Sequence, residues 1–148
     1  MIPYTKKTLP NGLTVVVNRD RVSKLAAVNI LYKVGARNEN PARTGFAHLF
    51  EHLMFRGTRE VPNFDLPVQM ASGDNNAFTN NDYTDFYITL PKDNLETALW
   101  LESDRMEGLD ITPAKLEAEK KVVIEEFRQR YLNQPYGDQT MLLRALAY

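Results

Sequence analysis

The stretch Gly45-Phe46-Ala47-His48-Leu49-Phe50-Glu51-His52-Leu53 contains both histidines of the 148-residue chain. Glu51 follows His48 by three positions and His52 follows it by four, which is the pattern H-x-x-E-H. On an α-helix, positions i, i+3 and i+4 point to one side. Two imidazoles and a carboxylate on one helix face can hold a metal ion and move a proton beside it. The pattern therefore predicts a metal site on a helix.

The predicted helix covers about residues 44–56, with Thr44 as its N-cap and Gly57 as its C-terminal stop. Apolar residues at i, i+3, i+4 and i+7 predict a buried face on the side opposite the histidines. These residues are Phe46, Leu49, Phe50 and Leu53. The alternative is that both histidines are surface or core residues without a ligand, which is the usual situation of a single histidine. The spacing of the whole triplet favours a metal site.

Composition limits both the class of protein and the kind of site. The length predicts a single domain over residues 1–148. The net charge is −1 and Lys and Arg form no cluster, which predicts no nucleic-acid partner. No apolar run is long enough for a membrane span and no signal peptide is evident, so we predict no membrane partner and leave cytoplasmic and periplasmic locations open. Because the chain has no cysteine, a zinc site must use His, Asp or Glu.

Turn signals and apolar alternation predict five strands, two of them joined by the hairpin turn Pro10-Asn11-Gly12. The strands cover residues 3–10, 12–18, 25–34, 76–79 and 83–90. Further helices are predicted over residues 63–71, 93–107, 112–132 and 139–148. An α+β fold, with an antiparallel-rich sheet packed by helices, is favoured over a doubly wound parallel sheet.

Several details of the predicted elements can be tested. Asp93 and Glu96 have the spacing of a capping box, and Thr112 with Pro113 has the pattern of a helix start. Phe86 and Trp100 are expected in the core. The apolar segment 139–148 ends without a glycine or a polar tail, so we interpret the chain as C-terminally truncated. An apolar edge left there could support a homodimer.

A third zinc ligand must come from a carboxylate, because a catalytic zinc usually has three protein ligands and an open position. The helix predicted over 112–132 carries four candidates, which are Glu117, Glu119, Glu125 and Glu126. Glu119 and Glu126 are seven residues apart and share a helix face to within about 20°. The alternative is an ordinary charged face supported by i, i+4 pairs with neighbouring Lys and Arg. Spacing alone does not select the ligand.

Residues 45–58 resemble the zinc signature of the pitrilysin-like metallopeptidases, the inverzincin family that includes insulin-degrading enzyme and the mitochondrial processing peptidase. The resemblance covers nearly the whole chain. Its other segments are residues 9–13, 34–39, 76–79 with 82–84, and 101–106. It implies part of a metallopeptidase N-terminal domain like that of the mitochondrial processing peptidase.

The resemblance also implies roles for single residues. Glu126, which lies 74 residues after His52, matches the family's third ligand, and Glu119 matches a carboxylate that orients a ligand from outside the coordination sphere. Glu125 remains the alternative to Glu126. One Zn²⁺ per chain would then be held by His48, His52 and Glu126, with Glu51 as the general base. Iron or manganese on the same three ligands is a further alternative.

The strand Asn76-Ala77-Phe78-Thr79 is similar to the family's substrate-binding strand. The resemblance therefore implies that an extended peptide substrate binds there as an added strand, whereas spacing alone fits an ordinary hairpin equally well. Family members consist of repeated domains, and a later domain supplies an Arg and a Tyr that clamp the substrate. We therefore expect the remaining domains of a longer chain, or a partner subunit, to be needed for activity.

The sequence is thus interpreted as a zinc-dependent endopeptidase domain, with the isolated chain hydrolysing peptides poorly. One competing interpretation is a non-catalytic subunit that binds peptides or scaffolds a processing-peptidase-like complex. Such subunits usually lack the complete zinc motif, which this chain retains. The other is a purely structural metal site, which commonly includes cysteine ligands and leaves no free glutamate inside the motif.

Overall fold

The computed structural model describes residues 2–147 and has five strands and five α-helices in this part of the chain. The strands are β1 (Thr5–Thr8), β2 (Thr14–Val17), β3 (Leu25–Tyr32), β4 (Asp74–Thr79) and β5 (Thr84–Pro91). The helices are α1 (Phe46–Met54), α2 (Asp65–Met70), α3 (Leu95–Glu107), α4 (Pro113–Phe127) and α5 (Gln139–Ala147). The pairing of the strands is antiparallel throughout. The predicted α+β class is confirmed.

The strands form a two-stranded sheet, β1-β2, and a three-stranded sheet with the order β3-β5-β4. Strand β5 is central because both of its edges are paired, one with β3 and the other with β4. β4 pairs with β5 along one edge, from Asp74 opposite Thr89 to Thr79 opposite Thr84. Among the described residues, no strand pairs with the other edge of β4.

The core lies between one face of the three-stranded sheet and the helices α2 and α3. Its buried members are Val28, Val61, Phe64, Val68, Ile88, Leu90, Ala98 and Leu101. Burial of this apolar surface is the main stabilising term, at about 25 cal/mol per Å² removed from water. Helix α1 lies beside this core. The residue directly after it, Phe55, packs its ring on Phe64 and Phe86.

A buried arginine joins α3 to the end of α1. Arg105 pairs with Glu102 on the same helix, and both side chains are almost fully buried. The Arg105 guanidinium lies 4.2 Å from the ring centroid of Phe86 and 5.8 Å from that of Phe55. Such cation–π contacts stabilise most when desolvated. Burial raises the pKa of the neighbouring Tyr32 phenol, and the Arg105 charge opposes that rise.

Several predicted boundaries differ from the structure. The strands predicted over 3–10, 12–18 and 25–34 are shorter, and the helix predicted over 63–71 covers only Asp65–Met70. The capping box at Asp93 does not form, because a 3₁₀ turn, Lys92–Asn94, precedes α3 and makes Asn94 the N-cap residue. Tyr148, the last residue of the predicted C-terminal helix, lies outside the described residues.

The two aromatic residues that were expected in the core differ in burial. Phe86 is 2% exposed, as predicted, whereas Trp100 is 50% exposed and the prediction was wrong. Trp100 lies one position before the buried Leu101 on α3, and adjacent helix positions face different sides. Within residues 2–147, none of the helices combines the length and the apolar character that crossing a bilayer requires.

Candidate metal centre

The residue that caps the start of α1 is Gly45 and not the predicted Thr44. Gly45 is the N-cap residue with φ +92°, a left-handed conformation that glycine adopts readily. The Glu39 carboxylate accepts the backbone N–H groups of Gly45 and Ala47, at 2.7 Å each. A carboxylate there satisfies two otherwise unpaired donors and faces the positive end of the helix dipole. Glu39 therefore has the capping role that was assigned to Thr44.

The predicted apolar face of α1 is buried only in part. Leu53 is buried, but Phe46 and Phe50 are 47% and 50% exposed in the described part of the chain. They line a groove of about 620 Å³ together with Tyr32 and Val34. The elements that pack on α1, chiefly α4 and β4, meet its histidine side instead. Glu51 on that side is consequently buried.

The helix α4 begins as predicted, with the Thr112 hydroxyl accepting the backbone N–H of Lys115 at 3.2 Å and Pro113 in the first turn. After Phe127 the chain continues in one π-helical turn, Arg128–Leu132, so the helical run ends at the predicted residue. α4 packs against α1. The face that meets α1 carries Glu119 and Glu126, two turns apart.

Three side chains converge between these helices. His52 Nε2 lies 3.3 Å from His48 Nε2, and Glu126 Oε2 lies 3.5 Å from His48 Nε2 and 3.4 Å from His52 Nε2. Glu125 points elsewhere and pairs with Arg128. Of the two adjacent glutamates, the structure therefore brings only Glu126 to the histidines.

These spacings fit a single metal ion. Ligand atoms about 2.0–2.1 Å from a tetrahedral zinc are about 3.3–3.4 Å from one another. The three measured separations, 3.3, 3.4 and 3.5 Å, are within 0.2 Å of that value. Two imidazoles and one carboxylate also form a donor set that zinc accepts, and three ligands leave a fourth position free. The geometry can therefore hold a zinc ion with an open coordination site.

Glu119 lies behind His52, away from the three converging atoms. Its Oε2 is 3.2 Å from His52 Nδ1, and its side chain is 3% exposed. Because a carboxylate oxygen only accepts, Nδ1 is the His52 nitrogen that can donate to Glu119, and Nε2 is the ring nitrogen that faces His48 and Glu126. The other oxygen, Oε1, accepts the N–H of Arg56 Nε and forms an ion pair with Nη2 of the same guanidinium. Glu119 thus contacts His52 on α1 and Arg56 just after the helix.

Glu51 reaches a different element. Its Oε2 accepts a hydrogen bond from the Thr79 hydroxyl at 2.5 Å, and the Thr79 hydroxyl lies 3.2 Å from that of Thr84. The Thr84 hydroxyl in turn donates to the backbone carbonyl of Val34. The carboxylate of α1 is therefore held at the end of β4 rather than left free in solvent.

One cleft of about 1220 Å³ contains the predicted site residues except Glu119. It is lined by His48, Glu51, His52, Asn76, Ala77, Phe78, Thr79 and Glu126. The strand β4 forms one wall with its unpaired edge, and α4 with its π-helical turn forms another. An extended chain lying along β4 would pass beside the three converging side chains.

The comparison with known proteins defines the class. The family model described as Insulinase (Peptidase family M16) matches residues 14–146, nearly the whole chain. The chain belongs to this family of peptidases. It is similar to the zinc protease PqqE of Helicobacter pylori, with 38% identity over 133 residues, 88% of this chain and 30% of the relative. The mitochondrial-processing peptidase subunit beta of Blastocladiella emersonii is 29% identical over 128 residues, 84% of this chain and 28% of the relative.

Solved structures show the same fold. The crystal structure of a protease from Helicobacter pylori matches with a TM-score of 0.87 and 36% identity, over 93% of this chain and 33% of that one. Pitrilysin matches with a TM-score of 0.78 and 25% identity, over 86% of this chain and 14% of its own length. The chain therefore spans about a third or less of each of these proteins.

Sequence analysis missed two residues that organise the site, Glu39 and Arg56. Arg56 follows His52 by four positions, a spacing that places both on one side of a helical turn. That spacing could have predicted a basic residue on the same side of the helix as His52. Glu39 precedes α1 across an irregular segment, so no periodicity could have connected it to the helix.

The capping of α1 can be tested with a matched pair of variants. We expect Glu39→Ala to lower the free energy of unfolding by about 1–2 kcal/mol, because two helix N–H groups lose their acceptor. Thr44→Ala, at the predicted cap, should change it by less than about 0.5 kcal/mol. Urea denaturation followed by circular dichroism measures both. Equal effects of the two substitutions would contradict the role of Glu39.

Proposed function

We propose that this chain is the metal-binding domain of a zinc-dependent endopeptidase, with Zn²⁺ held by His48, His52 and Glu126. The observation that carries the proposal is the convergence of these side chains, from two helices far apart in sequence, at the separations of a tetrahedral site. Membership in a peptidase family and similarity to a protein named a zinc protease support it. One zinc ion per chain is expected.

Zinc in such a site supplies Lewis acidity, which makes water more acidic and polarises a carbonyl group. Within the chain, Glu51 would act as general base, taking a proton from the attacking water and passing it to the leaving amine. Thr79 would hold the Glu51 carboxylate in place through the bond to Oε2. Glu119 would keep the His52 ring in the orientation in which Nε2 is the ligand atom.

The proposed substrate is an extended peptide that adds to the open edge of β4. Main-chain hydrogen bonds to such an edge give affinity without requiring a particular sequence. The backbone N–H of Ala77 donates to the Asn76 side-chain oxygen at 2.8 Å. Asn76, Ala77, Phe78 and Thr79 would line the bound peptide, and Thr79 would join it to Glu51.

The metal site is tested first, by metal analysis of the purified chain. We expect about one zinc per chain, and its loss in His52→Ala and in Glu126→Ala, because two ligands hold the ion much less tightly than three. Glu125→Ala is the matched control, since this neighbour pairs with Arg128 outside the cleft. It should keep the metal.

The alternatives give different results in the same experiment. Loss of zinc in Glu125→Ala instead of Glu126→Ala would exchange the third ligand. Iron or manganese in place of zinc would change the cofactor but keep the ligand set. A well-folded chain that binds none of these metals would contradict the proposal and favour a non-catalytic peptide-binding or scaffolding subunit.

Glu51→Gln separates metal binding from catalysis in the complete protein that carries this chain. We expect zinc to remain bound and the peptidase rate to fall at least about 10²-fold, because an amide cannot accept the proton. Glu60→Gln, an exposed residue in the segment after α1, serves as the control. A near-normal rate for Glu51→Gln would exclude Glu51 as the general base.

The isolated 148-residue chain is expected to bind zinc but to hydrolyse peptides poorly. The proposed peptide contacts come from a single edge strand, and the chain spans only 30% of the zinc protease to which it is similar. The remaining domains of a longer chain, or a partner subunit, would complete the substrate clamp. Hydrolysis of a quenched fluorescent peptide measures this. Strong activity of the chain alone, abolished by a chelator, would contradict the expectation.

A further inference from the structure

Arg56 lies just after the end of α1, four residues after His52. Its Nε donates a hydrogen bond to Oε1 of Glu119, and its Nη2 forms an ion pair with the same oxygen. The Arg56 side chain is 50% exposed, whereas that of Glu119 is 3% exposed. The arginine therefore reaches from the surface to a buried carboxylate.

The two oxygens of Glu119 serve different partners. Nε and Nη2 of Arg56 both contact Oε1, so Oε2 is left to accept the N–H of His52 at 3.2 Å. A buried carboxylate without donors on one oxygen can regain them by turning about its terminal bond or by moving toward water. Either movement would take Oε2 away from His52. Arg56 opposes both movements.

We propose that Arg56 is a positioning residue of the metal centre. It fixes the Glu119 carboxylate, and the carboxylate fixes the His52 ring with Nε2 toward the metal. The proposal rests on the proposed zinc site and deepens it, because among the described residues the Arg56 side chain pairs with Glu119 and with none of the three proposed ligands. The guanidinium suits this role because two of its nitrogens, held in a rigid plane, contact one oxygen, whereas a lysine ammonium is a single flexible point charge.

The sign of the effect distinguishes positioning from simple charge. Removing a positive charge near a divalent cation should strengthen metal binding, because the repulsion between them is lost. Removing a positioning contact should weaken it, and loss of an outer contact typically costs 10–100-fold in metal affinity. The two explanations therefore predict opposite changes for a neutral replacement of Arg56.

The experiment measures the zinc dissociation constant by competition with a chromophoric chelator, and the visible spectrum of the Co²⁺-loaded chain. For Arg56→Met we expect zinc binding about 10-fold weaker and an altered Co²⁺ spectrum. Arg56→Lys should recover part of the affinity, leaving a loss of about threefold. Arg128→Met is the matched control, since Arg128 is 58% exposed and pairs with Glu125 outside the cleft. It should change the affinity less than about twofold.

A second background tests the route through Glu119. In Glu119→Gln, the added Arg56→Met should weaken zinc binding by less than about twofold, because the contact that it removes is already altered. An unchanged 10-fold loss in that background would mean that Arg56 acts by another route. Circular dichroism checks that each variant is folded. If Arg56→Met does not fold, the zinc affinity of Arg56→Lys tests the proposal in its place.

The failures of the two proposals can be told apart. A folded wild-type chain that binds no zinc overturns the proposed function and this inference with it. A wild-type chain that binds zinc, with Arg56→Met binding equally well or more tightly, overturns only the role of Arg56.

Discussion

The packing of α4 on α1 depends on a buried carboxylate, Glu119, which must find partners because an unpaired charge in the interior is very costly. Both partners, Arg56 and His52, belong to α1 or to the residues directly after it. This requirement fixes the rotation of α4 about its own axis. Two turns further along the same face, Glu126 is thereby directed at the histidines. One satisfied carboxylate thus places another.

The proposed catalytic glutamate depends on the sheet in a similar way. Glu51 is buried on the side of α1 that meets β4, and its carboxylate receives a hydrogen bond from Thr79 at the end of that strand. The strand whose open edge would receive a peptide is therefore the strand that holds the proposed base. Through this single hydroxyl, movement of β4 would also move the Glu51 carboxylate.

The stabilisation of α1 is unusual for a helix with such a clear apolar stripe. Phe46 and Phe50 remain half exposed in the described part of the chain, and the position of the helix is set by Leu53, by Glu39 at its start and by polar contacts on its histidine side. Hydrophobic burial, which usually orients a helix, here orients the sheet and α3 instead. Hydrogen bonds and ion pairs therefore contribute most of the contacts that place α1.

The sequence alone determined the local features of this protein. The H-x-x-E-H pattern, the hairpin at Asn11-Gly12 and the start of α4 at Thr112 follow from residue spacing and turn chemistry, which act within a few residues. The α+β class followed from the order of these elements, and the family from the resemblance of residues 45–58 to its zinc signature. Where prediction failed, at Thr44, at Asp93 and for the burial of Phe46, Phe50 and Trp100, the outcome depended on neighbours that are distant in sequence.

Residue spacing could not separate Glu126 from Glu125, and the tertiary structure brings only Glu126 to the histidines. Adjacent residues on a helix differ by about 100°, so this placement depends on how α4 is rotated against α1. Only the tertiary structure revealed Arg56 and Glu39 as partners of buried groups, and Thr79 as a partner of Glu51. Such contacts join residues far apart along the chain. They are decided by the requirement that buried polar groups be paired, which can be met only once the helices and the sheet have packed.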